Sequence, residues 1–210
     1  KKAVIIGSVL VGIGVIIGFI GIAIGGFKFP NGAVDLTTMK ALHAEKKTVQ
    51  IADAFDKIEI AGASSMDIEI CKSKTGKNYV EYYDTDDWTS HVDVKDHVLK
   101  FTTDDKGKHK AIVSLGFGKD TAARLYLADA EYKEIAVTTL SGYVTIQDVN
   151  AGTVNVSASS GDLYMKNINA PDSIMATSSS GDIDLENATA KQIELGANSG
   201  DIEMQDITAE

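Results

Sequence analysis

The sequence predicts an all-β chain: a β-solenoid, or β-helix-like domain, with coils of about 20 residues, preceded by one N-terminal transmembrane α-helix. Three observations lead to this prediction. A long uncharged run stands near the start of the 210 residues. Apolar residues alternate with period two from Lys57 onward. A Ser-Gly pair then recurs at nearly constant spacing to the end.

The uncharged run covers residues 3–27, and lysines flank it at Lys1, Lys2 and Lys28. As a helix it would be roughly 37 Å long, enough to cross a ~30 Å hydrocarbon core. We therefore expect residues 1–27 to form a membrane anchor. A cleaved signal peptide and a buried soluble helix are the alternatives, but the apolar part of a signal peptide is usually shorter.

Charge flanking the anchor predicts its orientation. Lys1, Lys2 and the terminal amine precede the helix, whereas only Lys28 follows it closely. Positive charge favours the cytoplasmic side of a bilayer. We expect a single-pass protein of the cell membrane, with a cytoplasmic N-terminus and an extracytoplasmic C-terminal domain.

The anchor carries a stripe of glycines. At 100° per residue, five of them fall within about 60° of one another on one helix face: Gly7, Gly14, Gly18, Gly21 and Gly25. Two GxxxG pairs lie within this stripe, and such pairs let a second helix approach closely. The partner is a copy of this helix or another protein; the alternative is that glycine is simply common in membrane helices.

Two less regular segments follow the anchor. Residues 28–54 form a juxtamembrane connector with a turn at Pro30. Residues 35–47 fit a short amphipathic helix and a solvated linker about equally well. Residues 55–130 alternate apolar and polar side chains between turn signals, which predicts an irregular β region.

Residues 131–210 form the regular β-repeat region. Its Ser-Gly pairs are spaced by 19, 20 and 19 residues and end at Gly142, Gly161, Gly181 and Gly200. Each unit reads as a turn, a short strand, a second turn and another strand. Glycine permits the positive φ of a sharp turn, so we assign these four glycines to the repeat turns.

Apolar residues superpose when the units are aligned. The aligned columns are Val144/Leu163/Ile183/Ile202, Ile146/Met165/Leu185/Met204, Val149/Ile168/Ala188/Ile207, Val154/Ile174/Ile193 and Val156/Ala176/Leu195. Stacked coils would bury these columns between neighbours. Upstream, FDKIEIAGASSMDIEI resembles YKEIAVTTLSGYVTI with one inserted residue. A meandering antiparallel sandwich is the structural alternative.

These motifs carry a family resemblance. The segments SGDLYMKNINA, SGDIDLENATA and SGDIEMQDITA, with the lead-in ARLYLADAEYKEIAVTTLSGYVTI, resemble a bacterial membrane-anchored β-strand-repeat family. That family is known as "putative adhesin" and is a domain of unknown function. The resemblance covers roughly residues 50–210. It implies a cell-envelope protein, links some relatives to envelope-stress responses, and carries over no catalytic residue.

Charge and motifs argue against several functions. Residues 131–210 hold 13 acidic residues and three lysines, so phosphate backbones would be repelled and nucleic acid is not an expected partner. No metalloprotease, nucleophile-elbow or phosphate-loop motif is present, and a lone Cys71 excludes an internal disulfide. We expect no enzyme activity and no cofactor.

The weak metal candidates are Asp162, Asp182 and Asp201, which would stack as a column; capping of the turns is the alternative.

Three functions follow in order of preference. The first is a non-enzymatic, adhesin-like binding or structural ectodomain on a membrane anchor, with an envelope component or protein as its unknown ligand. The second is a regulatory subunit of a membrane complex in envelope-stress signalling, acting through the glycine-rich helix. The third is a β-helix enzyme acting on carbohydrate, which the scarcity of bases in the repeat region disfavours.

Overall fold

The computed structural model describes residues 33–35, 40–41, 44–85, 88–105, 112–114 and 122–209. Every regular element in these ranges is a β-strand, which confirms the all-β prediction. Within the same ranges no helix has the length and apolar character needed to cross a bilayer. The predicted anchor, residues 1–27, and its glycine stripe lie outside the described residues.

The described strands form two compact units. The smaller unit is an antiparallel sheet in the order β2-β1-β9, built from β1 (Ala33–Asp35), β2 (Lys40–Ala41) and β9 (Ile112–Ser114). The larger unit contains the other twelve strands. These are β3 (Ala44–Gln50), β4 (Lys57–Ser65), β5 (Ile68–Lys72), β6 (Tyr79–Thr85), β7 (Trp88–Lys95), β8 (Val98–Asp105), β10 (Ala123–Leu127), β11 (Glu131–Ser141), β12 (Val144–Ser160), β13 (Leu163–Ser180), β14 (Ile183–Ala197) and β15 (Ile202–Ala209).

Parallel coils stack through the second half of the larger unit. The first part of β12 pairs with β5, and its later part pairs with β11, so one strand contributes to two layers. Strands β13 and β14 bend in the same way, and β15 completes the series. Every aligned apolar column that the sequence predicts is found in register. The β-solenoid prediction is confirmed for these residues.

One corner of each coil depends on glycine. Gly142, Gly161, Gly181 and Gly200 have φ values of 123°, 142°, 145° and 136°. A Cβ added to Gly161 would lie 2.1 Å from the carbonyl oxygen of Gly142 on the preceding coil. The corner therefore needs glycine for two reasons: the positive φ, and the close approach of one coil to the next.

The opposite corner uses Asp and Asn. Asp148, Asn167, Asn187 and Asp206 have φ values between 51° and 56°, in the left-handed region that short polar side chains tolerate. The side chains of the first three form a ladder. Asn187 donates from Nδ2 to Oδ1 of Asn167 at 2.7 Å, and Asn167 donates to Oδ1 of Asp148 at 2.6 Å. No repeat motif of the sequence predicts a role for this corner.

The upstream copy of the repeat is a coil of the same stack. β4 pairs in parallel with β11, and β5 pairs in parallel with β12, so Ile58 lies beside Ile135 and Ile70 beside Ile146. The one inserted residue appears as a register shift between Thr139 and Ser141. A β-bulge absorbs an extra residue without disturbing the rest of the ladder.

Within the predicted irregular β region, residues 55–130, antiparallel strands extend the larger unit. β6 pairs antiparallel with β10 and β3, and β7 pairs antiparallel with β8. A two-residue turn at Asp96 and His97, both at positive φ, joins β7 to β8. Such turns match the natural twist of a hairpin, which explains why the chain returns locally here instead of coiling.

The connector also differs from expectation. Residues 44–50, which overlap the possible amphipathic helix over 35–47, form strand β3 and pair with β6. Residues 33–35 and 40–41 are likewise strands. The helix interpretation is wrong for these residues, because pairing with an available sheet edge outweighs a weak helical pattern.

Candidate functional site: a cavity at the coil bulge

One coil is a residue longer than its neighbours. From Asn150 to Thr153 the chain takes three steps, whereas the paired residues Asn169 and Ser173 are four steps apart. The additional residue makes a bulge at Pro171 and Asp172, and the register shifts there against both neighbouring strands. Proline has no N–H to lose from a ladder, so a bulge tolerates it well.

A cavity of about 330 Å³ opens beside this bulge. Its lining comes from three successive strands and consists of Glu131, Tyr132, Lys133, Asn150, Ala151, Gly152, Asn169, Pro171 and Asp172. A Cβ added to Gly152 would lie 2.8 Å from the carbonyl oxygen of Lys133 and 3.2 Å from Oδ2 of Asp172. A side chain at this position would therefore collide with the backbone of the preceding strand and crowd Asp172.

Four polar side chains border the cavity. Glu131, Asn150 and Asn169 stand in register on adjacent strands, and Asp172 projects from the bulge. Within the described residues none of these four side chains makes a hydrogen bond or ion pair. Two carboxylates and two amides are thus left available to solvent or to a ligand.

The floor of the cavity is held in place. Tyr132 is only 5% exposed, and its ring stacks on Phe55. Its hydroxyl proton has two acceptors within hydrogen-bond distance, Oδ1 of Asn78 at 3.2 Å and the carbonyl oxygen of Ala128 at 3.3 Å. Burial, with a smaller effect of Asp129, raises the pKa of Tyr132 to about 12. The phenol therefore stays neutral at physiological pH and supplies a rigid wall.

The ammonium group of Lys133 pairs with a residue outside the cavity lining. Its Nζ pairs with the carboxylate of Asp56, and its backbone N–H donates to the carbonyl of Asp56 at 2.7 Å. The hydrogen bond from Lys133 holds the pKa of Asp56 below its usual value. The cavity thus offers acceptors and amide groups, while its one cation is directed toward Asp56.

The aspartates of the SGD turns lie in a separate place, at the glycine corner. Oδ1 of Asp162 accepts from the N–H of Asp182 at 2.9 Å, and Oδ1 of Asp182 accepts from the N–H of Asp201 at 2.8 Å. These carboxylates bond the turn of the next coil, not their own. Across the described ranges, no three His, Cys, Asp or Glu residues are grouped to hold a metal ion.

The remaining residues of interest have structural surroundings. Cys71 is half-buried, and burial first, then Glu69 and Asp148, raises the pKa of its thiol. We expect the Cys71 thiol to react slowly, since the thiolate is the reactive form.

Tyr82 is a buried aromatic residue of the same unit. Its ring lies edge-on to Phe101, with ring centroids 5.7 Å apart.

Sequence reasoning did not predict the cavity, although a signal was present. The spacing of 20 between Gly161 and Gly181, against 19 on either side, marks the longer coil. Pro171 falls within that coil. An odd spacing beside a proline would have indicated a bulge, but not which side chains meet there.

Residues 55–210 match the family model described as Toastrack DUF4097. The chain belongs to this family. The resemblance to a domain of unknown function that the repeat motifs carry is thereby confirmed. Among curated proteins, no relative matches the Toastrack chain.

Several solved structures are similar to this chain at low identity. A "putative cell adhesion protein" from Clostridium sporogenes ATCC 15579 is 12% identical, with a TM-score of 0.48 over 78% of this chain and 99% of that chain. A "putative adhesin" from Bacteroides fragilis NCTC 9343 is 17% identical, with a TM-score of 0.37 over 78% and 96% of the two chains. Another, from Parabacteroides merdae ATCC 43184, is 13% identical, with a TM-score of 0.35 over 79% and 93%.

Proposed function

We propose that this Toastrack protein is a single-pass, membrane-anchored protein of the bacterial envelope whose β-repeat domain binds a component outside the cytoplasm without catalysing a reaction. The observation that carries the proposal is the cavity of about 330 Å³ at the coil bulge. It is bordered by four polar side chains that have no hydrogen-bond or ion-pair partner among the residues that the structure describes. Concave sites with a few convergent polar groups are the usual form of a binding site.

The coil stack suits a binding role because it holds outward side chains rigidly. Lys166 contacts the carboxylate of Glu186 at 2.6 Å, and the Tyr164 hydroxyl donates to the same carboxylate at 3.1 Å. Arg124 donates to Glu69 at 2.7 and 3.3 Å on the same layer. Side chains ordered before binding lose less entropy when a ligand arrives.

The membrane part of the proposal comes from the sequence. Residues 3–27 are long enough to span a bilayer, and the lysines before them favour a cytoplasmic N-terminus. The β-repeat domain would then face the envelope, where its ligand is a wall component or a surface protein.

Two measurements test this proposal. Protease added to intact spheroplasts should digest the β-repeat domain but leave a membrane-embedded fragment; full protection would contradict the orientation. Full chain reconstituted in nanodiscs should bind purified envelope fractions more strongly than empty nanodiscs. Equal retention of protein-bearing and empty nanodiscs would contradict the binding role.

Regulation through the glycine stripe is the second candidate, and the GxxxG pairs are the observation that favours it. Crosslinking of the full chain in membranes should then capture a defined helix partner. Replacing Gly14 and Gly18 with Leu should abolish that crosslink, whereas Ile16→Leu, at a position outside the pairs, should preserve it. A crosslink that survives the double replacement would contradict this role.

A further inference from the structure

We infer that the cavity beside the Pro171–Asp172 bulge binds a neutral, hydroxyl-rich saccharide. This inference rests on the proposed binding function and names the ligand class for it. It is drawn from the column of Glu131, Asn150 and Asn169 and from Asp172, which together place acceptors and donors around one opening.

The donor and acceptor chemistry favours hydroxyl groups. Each amide of Asn150 and Asn169 carries two N–H donors and one acceptor oxygen, whereas Glu131 and Asp172 supply acceptors only. A sugar hydroxyl both donates and accepts, so it can satisfy amides and carboxylates together. A cation would use the acceptors and leave four amide N–H groups without a ligand partner.

The charge around the cavity excludes the acidic sugars. Residues 131–210 carry a net charge of −10, from 13 acidic residues and three lysines. Of those lysines, Lys133 lies in the lining and already pairs with Asp56. A sulfated, phosphorylated or sialylated sugar would bring its charge next to Glu131 and Asp172 without a free cation from the lining to meet it.

The dimensions suit a small ligand. A volume of about 330 Å³ lies at the lower end of the range of about 300–1,000 Å³ for ligand sites, which fits one or two sugar rings better than a long chain laid inside. Glu131, Asn169 and Asp172 are exposed, and Asn150 is partly exposed, so a terminal sugar can enter from solvent.

The test uses the full chain in nanodiscs and an array of neutral oligosaccharides of glucose, galactose, mannose and N-acetylglucosamine. Sulfated and sialylated sugars provide the anionic arm, and spermine and oligolysine provide the cationic arm. Calorimetry then measures the affinity of the best neutral sugar for Asn150→Ala, Asn169→Ala and Asp172→Asn. Asn155→Ala is the matched control, because Asn155 lies on the same strand, is equally part-exposed and is not in the lining.

We expect a neutral sugar to bind, with an affinity that hardly changes with salt, and each lining variant to weaken it about tenfold. Asn155→Ala should bind as the wild type does. Binding of the cationic probes alone with strong salt dependence, binding of no neutral sugar, or equal affinity for the Asn150→Ala variant would each overturn the inference. If no neutral sugar binds while the full chain still binds envelope fractions, the saccharide inference fails and the proposed binding function stands.

Discussion

The N–H of Asp182 donates to Oδ1 of Asp162, which lies 2.9 Å away on the preceding coil. Asp182 in turn accepts from the N–H of Asp201 at 2.8 Å. A column of like charges is therefore also a chain of charge-assisted hydrogen bonds, each of which satisfies a turn donor on the next coil. Coil-to-coil links of this kind make the stability of a solenoid a sum of neighbour terms.

Replacing Asp182 with Ala removes the acceptor for the N–H of Asp201. We expect the free energy of unfolding, measured by urea denaturation, to fall by about 1 kcal/mol. Asp182→Asn should lose less, because its amide oxygen accepts the same bond. Since these carboxylates are already engaged, added Ca²⁺ should leave the unfolding midpoint unchanged. A midpoint that rises with Ca²⁺ would instead show cation binding at the aspartate column.

Adding a methyl group at the glycine corner should be strongly destabilising. In Gly161→Ala the new Cβ would lie 2.1 Å from the carbonyl oxygen of Gly142, at a φ of 142°. We expect a loss of about 3 kcal/mol or more in the free energy of unfolding. Gly196→Ala is the control, because its Cβ would meet only Cγ2 of Thr177 at 3.7 Å. Equal losses for the two variants would show that the glycine corner does not constrain the stack.

The apolar columns offer a matched pair of isoleucines. Ile183 and Ile202 occupy the same column on adjacent coils, but Ile183 is 0% exposed and Ile202 is 41% exposed. Ile183→Ala should cost about 3 kcal/mol through lost burial and a cavity, and Ile202→Ala about 1 kcal/mol. Thermal and urea unfolding of both variants measure the difference. Similar losses would contradict the burial gradient along the column.

The raised pKa of Tyr132 predicts that the free energy of unfolding depends on pH in the alkaline range. Its folded-state pKa of about 12 exceeds the ordinary value of about 10, so the folded protein holds the phenolic proton longer than the unfolded chain does. This difference in pKa contributes about 2–3 kcal/mol to the free energy of unfolding. The contribution is fully present below pH 10 and is lost as the pH rises toward 12.

Tyr132→Phe provides the comparison for this prediction. At pH 7 the variant should be less stable than the wild type, because it lacks the hydroxyl that lies within hydrogen-bond distance of Asn78 and Ala128. The gap in the free energy of unfolding should close between about pH 10 and 12, and groups common to both proteins cancel in the difference. A gap that stays constant over that window would refute the assignment to Tyr132.

The regular part of the fold could be predicted because short, repeated stretches of sequence specify it. The spacing of Gly142, Gly161 and Gly181 sets the length of each coil, and the apolar residues between them recur at matching positions. A coil buries its apolar side chains only against neighbours of the same pattern, so repetition along the chain implies stacking in space. The family resemblance followed from the same residues.

The pairing of the antiparallel strands could not be predicted from such a repeat. β6 and β10 belong to one ladder although 37 residues separate the end of β6 from the start of β10. The alternation of apolar and polar residues predicts that a strand forms, but it does not predict which distant strand it pairs with or in which direction. Such pairing depends on loop closure and on the edge that the rest of the fold leaves open.

The sequence by itself determined the regular stack of β-coils over residues 131–210, the glycine turns between them and the apolar columns that align from coil to coil. Only the tertiary structure decided that Glu131, Asn150, Asn169 and Asp172 border one cavity. The reason is physical: burial follows from a short repeating pattern, whereas a cavity arises where one coil departs from the pattern and its neighbours do not follow. A single extra residue at Pro171 and Asp172 creates that departure, and three coils must be in place before it encloses any space.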